Sequence, residues 1–126
     1  MKKISLIFLS LFVIAIVACN SSFTTYNPSI CKEVSQKMGS GESLSDKDYT
    51  IMIDQVVAIS HLLNDKNVEA AGDPEKLRDL SQDETLKEAS EYMGVFMVYI
   101  NNHQEDIPKS ILKKWANAKK EMGLLR

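Results

Sequence analysis

Apolar residues recur along most of this chain at helical spacing, and the polar residues between them carry the marks of helix ends. Asn27-Pro28 reads as a start, because asparagine can accept a bond from a free amide and proline at the first helical position leaves no amide unpaired. Cys31, Val34 and Met38 then share one face, and Gly39 and Gly41 supply the left-handed geometry that ends a helix. Ser45 with Asp48 has the spacing of a capping box, flanked by Leu44 and Tyr49 as a hydrophobic staple. From there Tyr49, Met52, Ile53, Val56, Val57, Ile59 and Leu63 form a helical stripe that should face the core. Ile51, Ala58 and Leu62 lie about 140° round the wheel from it, which predicts either a second packing neighbour or a small apolar patch for a partner.

Residues 64–72 read as a loop or fraying end, and Asp73-Pro74 repeats the cap-then-proline start for a short helix through about Leu80. Ser81 and Glu84 offer a further capping box. Leu86, Ala89, Met93, Phe96, Met97 and Ile100 next share one face, while Tyr92, Val95, Val98 and Tyr99 make the second half apolar nearly all round, as a central helix would be. Asn101-Asn102 suits its end, and Asp106 with Pro108 the first turn of another. Ile107, Ile111, Trp115, Ala118 and Met122 define the inner face of this last helix. With no strand-turn-strand pattern after residue 19, the expected fold is all-α: a compact bundle of three long helices and one or two short ones.

The N-terminus has a different pattern. Lys2 and Lys3 precede an apolar run at residues 4–18, and Cys19 follows directly. Fifteen residues of helix make roughly 22 Å, short of the ~30 Å hydrocarbon core, so the run reads as an export signal rather than a permanent span. Its end, Ile16-Val17-Ala18-Cys19, resembles the lipobox of bacterial lipoproteins. The resemblance covers only the signal and Cys19, and implies cleavage before Cys19, diacylglyceryl modification of its thiol and acylation of the new amine. Two or three chains on one cysteine would hold a bilayer effectively permanently, since each buried CH₂ adds roughly 0.8 kcal/mol. Asn20-Ser21-Ser22 lacks the aspartate that resembles an inner-membrane retention signal and the acidic run that looks like a surface-export tag, so the resemblance implies an outer-membrane address facing the periplasm. The chain thus divides into a signal peptide (1–18), a lipidated N-terminus and polar tether (19–27) and one helical domain (28–126).

Charge sharpens this picture. From residue 19 onward there are 13 basic and 17 acidic residues, the wrong balance for a nucleic-acid binder. The charges are segregated: residues 19–106 hold 7 basic and 16 acidic side chains, residues 107–126 hold 6 and 1. Lys109, Lys113 and Lys120 lie opposite the apolar face of the last helix, with Lys114 and Lys119 on its flanks. Either this helix docks on an acidic body, or its lysines make a basic face for anionic headgroups or an acidic partner.

Candidate chemistry is sparse. His61 and His103 have no His or Cys at helical ligand spacing, so neither a metal nor a cofactor is expected. Asp54 precedes His61 by seven residues, about 10 Å along a helix and too far to pair directly. With Cys19 acylated, Cys31 has no partner, but Val34 and Met38 beside it suggest a small buried hydrophobe. No nucleophile elbow, phosphate loop or zinc-protease motif occurs. The leading expectation is a membrane-tethered helical module that binds another envelope protein. One alternative is an immunity or inhibitor protein acting on an envelope toxin or hydrolase through its acidic surface. Another is a small enzyme of envelope glycans or lipids, which needs an open cleft with converging carboxylates or His61.

Overall fold

A computed structural model describes residues 25–123, and the signal, Cys19 and Phe23 lie outside the described residues. Among the described residues the fold is all-helical, with five α-helices. Helix α1 spans Pro28–Gly39, α2 Asp46–Ala70, α3 Pro74–Ser81, α4 Glu84–Asn102 and α5 Lys109–Glu121, with a single 3₁₀ turn at Gln104–Asp106 before α5. Local chemistry accounts for most of these bounds. The Asn27 side chain accepts from the Ile30 amide, and Asp73 caps α3 by accepting from Glu75 and Lys76. Ser45 and Asp48 form both bonds of the capping box, and Gly41 and Gly72, with φ of 77° and 81°, turn the chain after α1 and α2.

Three expected boundaries are displaced, one of them the start of α5, where Asp106 lies in the 3₁₀ turn and Pro108 stands just before Lys109 instead of inside the first turn. Residues 64–70 continue α2 instead of forming a loop: no breaker occurs before Gly72, and Ala70 is buried where this last stretch packs. The Ser81–Glu84 box does not form. Ser81 ends α3, its hydroxyl donating to the Arg78 carbonyl, and Asp83 caps α4 by accepting from the Leu86 amide. Aspartate adjacent to the first helical residue reaches that amide directly, so it displaces the serine.

Helix α2, not α4, occupies the centre and touches each of the other four helices. α1 runs antiparallel to it, pairing Cys31 with Gln55 and Lys37 with Asp48. α5 runs parallel to it, since Lys114 pairs with Asp54 and Glu121 with His61. Cys31, Val34, Met52, Ile53, Val56, Phe96, Ile100, Ile107, Trp115 and Ala118 close one core from α1, α2, α4, α5 and the segment before α5. α4 contributes only one side. Val95 and Val98 remain 47% and 58% exposed, so its all-round apolar character leaves an uncovered face instead of marking a central position.

Candidate functional site

The polar anchor of the fold is Gln55, a buried residue in the middle of α2. Its Oε1 accepts from the Asn27 amide at 2.8 Å and from the Cys31 thiol at 3.4 Å, while its Nε2 donates to the Thr25 carbonyl at 3.1 Å. One amide side chain thereby ties down the entering strand of chain at two backbone points. Thr25 and Asn27, both assigned to the tether from sequence, are thus bonded to the helical fold. Tyr26, read as part of the tether, is half-buried against the core. Burial, then the charge of Glu88, pushes its hydroxyl up to about 12. Cys31 is fully buried, and the same two causes push its thiol up to about 11, which suits a packing role.

Asp48, buried at the start of α2, accepts from the Ser45 amide at 3.0 Å and from the Lys37 ammonium at 3.2 Å. Burial works to raise its pKa, but these bonds together outweigh it and hold the carboxyl below its ordinary value. At the other edge of the core the Trp115 indole donates to Asn101 at 3.1 Å. His103 donates from Nδ1 to the Tyr99 carbonyl at 2.8 Å, a carbonyl being able only to accept, and its ring stacks on Tyr99 with centroids 3.8 Å apart.

The sequence-derived surface residues separate into two groups. Ala58 is only 6% exposed, and Ile51 and Leu62 are half-buried. Ala58 lies on the α2 face of Asp54 and His61, both of which meet α5. Lys109, Lys113 and Lys120, in contrast, are all exposed. The flanking lysines are engaged: Lys114 pairs with Asp54 at 2.8 Å, and the Lys119 ammonium stands 5.5 Å from the Trp115 ring centroid. His61 meets Glu121 at 3.1 Å, with both side chains more than half exposed.

Sequence periodicity missed a groove of about 380 Å³ on the bare side of α4, lined by Met38, Gly94, Val95, Val98, Tyr99, Asn102 and His103. Its signal was present in the run of apolar residues that exceeds one helix face. A second groove, of about 500 Å³, lies between the end of α2, α3 and the start of α4, with Leu63, Leu77, Leu80 and Leu86 in its walls. Glu91 is its one carboxylate and His61 lies outside it, so this groove does not bring together a glycosidase's carboxylate pair. Among the described residues no three His, Cys, Asp or Glu side chains gather as metal ligands, and no helix is long and apolar enough to cross a membrane. Set against known protein families, curated proteins and solved structures, the chain matches none.

Proposed function

We propose that this chain is a lipid-anchored helical module of a bacterial cell envelope, held through an acylated Cys19 and docking another envelope protein against the bare face of α4. The observation that carries the anchor is the Ile16-Val17-Ala18-Cys19 sequence directly ahead of a fold that begins at Thr25. A polar link of five residues separates the modification site from the first pinned backbone group. The residues after Cys19 support an outer-membrane, periplasm-facing address.

Exposed Val95 and Val98 support the docking role, since they sit side by side in a groove with Met38 and Tyr99. Such a groove suits an apolar segment of the partner, with Asn102 and His103 offering polar contacts at one end.

Mass spectrometry of the mature natural protein tests the anchor: residue 19 should be the N-terminus and carry acyl chains, and an unmodified cysteine refutes it. Docking is tested by a photo-crosslinking residue placed at Val98 in cells, with Lys87 as a distant control. One partner should be captured from Val98 alone and lost when Val95 becomes Asp. Failure to recover the same protein repeatedly overturns that half of the proposal.

A further inference from the structure

Resting on the lipid-anchor reading, we infer that the exposed lysine row of α5 is a headgroup-binding face, which lays the domain against the anionic leaflet that holds its own anchor. Lys109, Lys113 and Lys120 fall within about 40° of one another on the helical wheel and extend about 16 Å along the axis. Trp115 and Ala118 are buried on the opposite side. Ser110, Ala116 and Asn117 fill the rest of the outward sector, which contains no carboxylate; Glu121, the one acid of α5, turns sideways to His61. The cation surplus is thus not consumed inside the fold. Lys114 is paired with Asp54 and Lys119 lies over Trp115, while these three ammonium groups have no ion-pair partner among the described residues.

Geometry sets α5 beside the entering chain. The Thr25 carbonyl is bonded to Gln55, and the next residue back along α2, Asp54, holds Lys114 of α5. Adjacent residues of a helix are about 100° apart, so the entering chain and α5 occupy neighbouring flanks of α2, with half-buried Ile51 and Leu62 between them. The six peptide steps from Cys19 to Thr25 reach at most about 22 Å. A domain of this size is roughly 34 Å across, so the leash cannot bring its far side to the leaflet. Helix α5 is therefore held near the headgroups, and exposed lysines near an anionic surface are drawn to it.

The natural mature protein, reconstituted in phosphatidylcholine vesicles with or without phosphatidylglycerol, is treated with a water-soluble amine-acylating reagent, and each lysine is quantified by peptide mass spectrometry. Each lysine near an anionic leaflet strengthens association about fivefold and three about a hundredfold, so labelling of Lys109, Lys113 and Lys120 should slow by about tenfold or more on the anionic vesicles. High salt should abolish the effect, and Lys76 on α3 and Lys87 on α4 should label equally on both. Equal labelling of the row on both vesicles overturns the inference, as does protection that appears only when envelope proteins are added, which would make the face a site for an acidic protein. Flotation with neutral vesicles reads the anchor separately. A protein that floats but is unprotected removes the headgroup contact alone, whereas one that fails to float yet is protected on anionic vesicles removes the anchor and keeps the contact.

Discussion

Replacing Gln55 with Leu tests how the N-terminal segment is held. Leucine nearly matches the volume of glutamine and keeps the α2 backbone helical, so the perturbation is confined to hydrogen bonding. Lost with it are the bond from the Asn27 amide and the bond to the Thr25 carbonyl, both part-buried, and the weaker buried bond from the Cys31 thiol. At about 1 kcal/mol for each backbone bond, with about another 1 kcal/mol for desolvated groups left without a partner and a partial offset from the added apolar burial, the expected cost is about 2 kcal/mol. For a domain near 100 residues this corresponds to a Tm lower by roughly 8–16 °C. Urea unfolding followed by the fluorescence of the single tryptophan, buried Trp115, measures it directly. Amide exchange at Asn27 should accelerate more than exchange in α4, because the loss is local before it is global. A variant within about 0.5 kcal/mol of the parent, with unchanged exchange at Asn27, would refute the reasoning and return residues 25–27 to the tether.

Other substitutions probe the remaining contacts. Trp115→Ala should cost about 3–5 kcal/mol as a core truncation, while Trp115→Phe isolates the indole bond to Asn101 and the smaller loss of volume; thermal unfolding should rank them in that order. Asp48→Ala should lower stability at neutral pH by about 2 kcal/mol, given its bonds to the Ser45 amide and the Lys37 ammonium. Folding lowers this carboxyl's pKa, so its contribution is present above the unfolded value near 3.9 and fades as pH falls through the folded one; parent and variant should converge in acid denaturation curves. Cys31, buried and with its thiol pushed up to about 11, should resist alkylation in the native protein at pH 8 and react on unfolding; rapid native labelling would contradict the packing role.

Capping chemistry was the most legible part of this fold, because its hydrogen bonds close within four residues. Asn27-Pro28, the Ser45–Asp48 box and Asp73-Pro74 start helices where their sequence says they should. The inward faces of α2 and α5 were equally readable from periodicity, down to Trp115 and Ala118. Where two local signals competed, as Ser81 and Asp83 did for the start of α4, sequence alone did not rank them. The extent of α2 was underestimated for a related reason: Asn64, Asp65, Asn67 and Val68 are weak helix formers, and burial of Ala70 adds what their propensity does not.

By itself, then, the amino-acid order determined the helical class, most helix starts and the inward faces of the helices, all properties set by neighbours a turn apart. Tertiary structure alone decided which helix is central, that Gln55 pins the entering chain, that Ala58 is buried, and that Val95 and Val98 remain bare. Periodicity reports that a face is apolar, but not whether another element is present to cover it, because that depends on helix directions and connections fixed by contacts between residues far apart in the chain.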